Sequence, residues 1–131
     1  MTLKLALITL LVPDYDAAID FFVGKLGFTL TADDAQKDGK RWVVVTPGSL
    51  GTGFLLAKAA NMSQAARIGD QTGGRVSFFL ETRNFAAQHK RMTAAGVRFL
   101  EEPRHEAYGV VAVFEDILGN RWDLIEPKGE P

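Results

Sequence analysis

The chain has 131 residues, 47% hydrophobic and 24% charged, with 15 Lys and Arg against 16 Asp and Glu and no cysteine. Such a length suits one domain over 1–131 and leaves no room for two independent cores. A formal net charge of −1 gives no reason to expect nucleic acid or a membrane surface as partner, and a chain without thiols has no disulfides, thiolate metal sites or cysteine nucleophile, which suits the cytoplasm.

The opening MTLKLALITLLVPDYD places one lysine before an apolar run, but Thr9 interrupts the run and Pro13 and Asp14 close it without a small-residue cleavage site. The run is also far short of the ~20 residues that span a bilayer. A buried strand over 3–12 is expected instead. Asp14 can cap a helix in which Ala17, Ala18, Phe21 and Phe22 recur at three- and four-residue spacing, with Gly27 as its stop. Residues 28–31 read as a second strand, DDAQKDGK as a solvated turn, and RWVVVTP and GFLLAK as the third and fourth strands. The polar stretch AANMSQAARIGDQTGG supports only a short connecting helix, and its glycines lack the spacing of a phosphate loop.

The same order then begins again. RVSFFLET reads as a strand, RNFAAQHKRMTAAGV as a helix capped by Asn84 and stopped by Gly96, and VRFLEEP, GVVAVFED and RWDLIEP as three more strands. LGF at 26–28 answers AGV at 95–97, Asp14 answers Asn84, and LITLLV answers SFFLET. An offset of roughly seventy residues means two copies, each leaving one sheet face uncovered unless it packs on another copy. The expected fold class is therefore α+β, with two tandem βαβββ modules over 3–60 and 73–127 and a linker over 61–72.

The pieces LITLLVPDYDAAIDFFVGKLGF, NFAAQHKRMTAAGVRF and FEDILGNRWDLIEP, in this order and over nearly the whole chain, resemble the vicinal oxygen chelate superfamily, which includes glyoxalase I, bleomycin resistance proteins and extradiol dioxygenases. The resemblance implies cup-shaped mixed sheets and a ligand held inside the cup. It also implies a homodimer whose modules complete each other's cups, and often a divalent metal on the first and last strands of each module. Carried onto this chain, the ligand positions fall on Leu7, Leu55, Ser77 and Asp123. A divalent catalytic metal needs about three N, O or S donors, and leucine supplies none. No metal and no cofactor is expected.

Strand alternation then sorts the remaining candidates. Leu7, Thr9, Leu11, Leu55 and Phe79 would give the cup an apolar lining, with Arg75, Ser77, Glu81 and Asp123 at its polar end. Trp42 and Phe79 would offer flat walls to a planar ligand, or else simply fill the core. Asp123 would pair with Arg75, with Arg121 as a second candidate, or reach solvent at the rim. His105, on a loop entering a strand, would be a general base or a surface residue. Tyr108 would reach over the cup or pack at a strand start, and His89 would face solvent in mid-helix. Such a lining suits a small organic molecule with one polar or charged group, held without a metal. The alternative is a lyase, isomerase or dioxygenase that moves protons through Asp123, Glu81 or His105, or that recruits a metal through a non-standard set. A third reading makes dimerisation or a protein partner the purpose, with side chains filling the cup.

Overall fold

The computed structural model describes residues 2–48 and 51–129. They form two compact units, Met1–Ile68 and Gly69–Pro131. No helix among the described residues is long and apolar enough to cross a membrane.

In the first unit, β1 (Leu7–Val12) runs parallel to β4 (Gly53–Lys58), which pairs antiparallel with β3 (Arg41–Thr46), and β3 with β2 (Thr29–Ala35), in the order β1-β4-β3-β2. Asp14 caps α1 (Tyr15–Ile19) by accepting a hydrogen bond from the Ala17 N–H at 2.8 Å, satisfying a backbone donor that the helix itself leaves unpaired. The helix widens into a π-helical turn over Asp20–Lys25, and Gly27, at φ 81°, takes the left-handed conformation that ends it. One sheet face carries Leu10, Val12, Val43, Val45, Phe54 and Leu56, all buried along with Ala18, Phe21 and Phe22 of the helix.

The second unit repeats this plan. β5 (Val76–Glu81) runs parallel to β9 (Arg121–Pro127), which pairs antiparallel with β8 (Gly109–Glu115), and β8 with β6 (Arg98–Phe99) and β7 (Arg104–Glu106). Asn84 caps α3 (Phe85–Ala94) through Ala87 N–H at 3.1 Å, and the carboxylate of Glu126 accepts from Phe85 N–H at 2.7 Å. Trp122 lies at the centre of the core, its ring centroid 4.7 Å from that of Phe78 and 5.7 Å from that of Phe114. The short α2 (Met62–Ala65) is the connecting helix expected from the sequence.

The α+β class holds, with two sheets of mixed strands and few helices. Four local expectations need correction. The buried strand expected over 3–12 begins only at Leu7, and Leu3 and Leu5 ahead of it are exposed. β2 continues to Ala35 through the first three residues of the expected turn, because Asp33 and Asp34 lie on an edge strand where acids stay wet and Asp33 can pair across to Arg41. VRFLEEP contributes only two residues of strand, after which Leu100 N–H donates to Val113 carbonyl and the Glu101 carboxylate accepts from Val113 N–H. A side chain thus replaces a ladder bond, and the edge resumes as β7, so His105 sits in a strand rather than on a loop. His89 is half-buried, not solvent-facing: its ring stacks on Phe85 at 5.5 Å and meets Phe99 at 4.3 Å, since residues four apart share a helix face.

Candidate functional site

Each sheet has one face under its helix and one face without a helix, and strand alternation decides which residues occupy the second. In the first unit, Thr9 and Leu55 are direct partners across the parallel β1–β4 pair, and Leu55 is also opposite Val44. Leu7 and Trp42 are exposed by 36 and 39%, so this surface is apolar and wet. In the second unit, Phe79 and Asp123 are direct partners across the β5–β9 pair. Phe79 is 68% exposed, while Trp122 and Leu124 on either side of Asp123 are buried under the helix. The structural repeat therefore makes Thr9 equivalent to Phe79 and Leu55 equivalent to Asp123.

Asp123 is half-buried and, among the described residues, forms no ion pair with Arg75 or Arg121, both of which are exposed. Burial pushes its carboxyl above the ordinary 3.8, with Arg104 pulling it down and Glu101 pushing it further up. Arg104 is itself held by Glu101 at 2.9 Å and by Glu106, so most of its charge is already answered. Neither Arg104 nor Glu101 stands out in the sequence, because both depend on the β7 edge. The Ser77 hydroxyl sits at an irregularity in the β5 register and bonds locally, at 3.0 Å to Thr72 and 3.5 Å to the Arg75 carbonyl. Glu81 ends β5 opposite Ile125, His105 pairs with Val110, and Tyr108 is exposed in the turn before β8.

The positions onto which the resemblance carries a family metal hold two leucines, a serine engaged in its own turn, and one carboxylate. Among the described residues no group of three His, Cys, Asp or Glu comes together to hold an ion. This donor set does not fit a divalent metal.

Two concave regions touch the sequence-derived candidates. A cleft of about 510 Å³ at the end of the central β3–β4 pair of the first sheet includes Trp42 and Leu55, with Tyr15, Lys40 and Lys58. In the second unit a cleft of about 500 Å³ includes Glu81, Thr82, Arg83 and Glu126. Tyr15, Lys40 and Lys58 are candidates that periodicity did not single out, because they meet only where the helix start, a turn and a strand end converge.

A second acid also escaped the sequence reading. Asp116 is buried in the turn between β8 and β9, accepting from Leu118 N–H and Asn120 N–H at 2.9 Å each, from the Asn120 side-chain amide at 3.1 Å and from the Trp122 indole N–H at 2.9 Å. The signal was present in EDILGN, an aspartate followed by glycine and asparagine as in side-chain-stabilised turns.

Comparison with known proteins gives a consistent result. The sequence pattern of the Glyoxalase/Bleomycin resistance protein/Dioxygenase superfamily matches residues 4–124. An uncharacterized protein of Shewanella frigidimarina (strain NCIMB 400) is 50% identical over 121 residues, which is 91% of this chain and 90% of that one. The crystal structure of UcmS2 is 30% identical with a TM-score of 0.81, covering 95% of this chain and 98% of that one. TnmS3, an antibiotic binding protein from Streptomyces sp. CB03234, is 27% identical with a TM-score of 0.76, covering 98% of both chains.

Proposed function

The chain belongs to the glyoxalase/bleomycin resistance protein/dioxygenase superfamily, and on that footing we propose that it binds a small organic molecule on its apolar sheet surface without the family metal. The observation that carries this reading is the pair of leucines, Leu7 and Leu55, at positions where coordination needs heteroatoms. Beside them Trp42 leaves further apolar surface in contact with water, which favours an organic ligand by the area it would bury. Likeness to a protein described as antibiotic-binding supports the same reading. A cytoplasmic homodimer, in which a partner subunit covers these faces, completes the proposal; exposed Leu3, Leu5 and Leu7 at the edge of the first sheet support it.

Asp123 favours a second reading, an enzyme of the same superfamily. A carboxyl raised by burial beside an exposed aromatic ring is suited to accept a proton from a bound substrate. Glu81 and His105 form no side-chain hydrogen bond or ion pair among the described residues, so Asp123 leads that reading.

Elemental analysis of the purified protein and of Asp123→Ala separates the readings, with sedimentation reporting the dimer. Trace metal, unchanged by the substitution, is expected. Stoichiometric zinc, nickel, manganese or iron that is lost in Asp123→Ala would contradict the metal-free proposal.

A further inference from the structure

We infer that the cleft at the end of the β3–β4 pair takes a flat, conjugated molecule bearing an anionic oxygen, in preference to a neutral or cationic one; this rests on the small-molecule reading above. The cleft has a volume of about 510 Å³, within the range of organic-ligand sites. One wall is Trp42, an indole 39% exposed, whose face can stack on a planar ring. Leu55 and Ala57 continue that wall.

The polar groups opposite are mostly donors. Tyr15 is only 7% exposed yet lines the cleft. Its oxygen accepts from Arg41 N–H at 3.2 Å, and among the described residues no acceptor takes its own proton. A phenol has one proton to give, so this one remains for a ligand. Gln64 uses its side-chain oxygen on Ala60 N–H at 2.7 Å, which leaves its amide nitrogen to donate.

The two lysines point the same way. Arg41 is spent on Asp33, at 3.1 and 2.8 Å, and on Asp16, at 2.9 Å. Lys40 and Lys58 line the cleft without an ion pair among the described residues, and Asp38 is the acid that shares the lining with them. Asp34, the cross-strand partner of Trp42, lies outside the lining. Counted with the Arg41 cluster, three cations meet three carboxylates, so the pull on an anion comes from direct contact with the two ammonium groups that no carboxylate engages among the described residues, and hydrogen bonds to an ionised oxygen are the stronger kind.

Quenching of tryptophan fluorescence tests this directly with three probes of one shape: 2-naphthoate, 2-naphthamide and 2-naphthylmethylammonium. Trp122 is buried, so quenching reports Trp42, with Trp42→Phe as the blank. The naphthoate should bind about tenfold more tightly than the amide, the scale of one hydrogen bond to a charged group. That preference should disappear in the double variant Lys40→Ala/Lys58→Ala and weaken roughly threefold in Tyr15→Phe, because the lost phenol donor serves the carboxylate more strongly than it serves the amide carbonyl. Melting curves verify that each variant is folded. Equal or tighter binding of the amide or the ammonium probe, a preference that survives loss of both lysines, or no quenching by any probe overturns the inference. Probes that stabilise the Trp42→Phe and Tyr15→Phe variants against heat as fully as the parent would remove the cleft while sustaining small-molecule binding elsewhere. If no organic probe stabilises any form, the broader reading falls as well.

Discussion

Asp116 and Asp123 stand on one short segment and meet opposite surroundings. Asp116 is enclosed by four N–H donors, and burial still raises its carboxyl against the pull of those bonds. Its role is to hold the turn and fix the Trp122 ring. Replacing it by alanine leaves the buried indole N–H and the Asn120 amide without acceptors, and a loss of about 3 kcal/mol is expected in chemical denaturation; a loss under about 0.5 kcal/mol, typical of an uncoupled surface site, would contradict this role. Asp123 has no such enclosure. Because its folded-state carboxyl is raised above 3.8, the folded protein binds the proton more tightly than the unfolded chain does. The associated stability is complete below the unfolded value and is lost as pH rises through the folded one. Asp123→Asn should therefore raise the melting temperature at neutral pH, with the gain vanishing once the medium is more acidic than 3.8. A variant that melts lower than the parent at neutral pH would show that a partner holds the carboxylate. Alternation along RWDLIEP sufficed to turn Asp123 away from the helix, since Trp122 and Leu124 flank it. Arg104 as the cation that acts on it was illegible, because it arrives on a two-part edge strand that no periodicity announces.

At the scale of elements, each module uses the same three devices: an acid or amide cap, a helix over one sheet face, and a left-handed glycine at the end, Gly27 at φ 81° and Gly96 at φ 90°. All three could be read from residue type and spacing, since caps and stops act within a few residues of chain. Asn84→Ala should cost about 1 kcal/mol in denaturation, the usual worth of an N-cap. The Glu126 carboxylate on Phe85 N–H holds the helix start from another strand, so helix content at low denaturant should stay unchanged; loss of α3 in that variant would contradict this support. Less legible were the π-helical widening before Gly27, where Leu26 N–H donates to Phe21 carbonyl and Phe28 N–H to Phe22 carbonyl, and the two-part β6–β7 edge. Both depend on bonds between residues whose types permit several patterns. β2 was underread because its two aspartates suit turns in general, whereas here Asp33 is kept extended by Arg41 across the ladder.

At the scale of the molecule, internal repetition was the most informative signal, and strand register bears it out: Thr9 faces Leu55 as Phe79 faces Asp123. The resemblance carries the family's metal positions onto two leucines, and the proposed function rests on that carry-over. What spacing did not reveal is the cleft of Tyr15, Lys40, Trp42 and Lys58, which forms only when a helix start, a turn and two strand ends meet. The central claim is that apolar surface, rather than an ion, holds the ligand. The most direct measurement is the rise in melting temperature produced by a planar organic ligand, taken before and after exhaustive treatment with a chelator, since a ligand that binds only the folded form stabilises it by mass action. An equal rise in both samples is the expected result; a rise that disappears with the chelator and returns with one divalent ion would contradict the account.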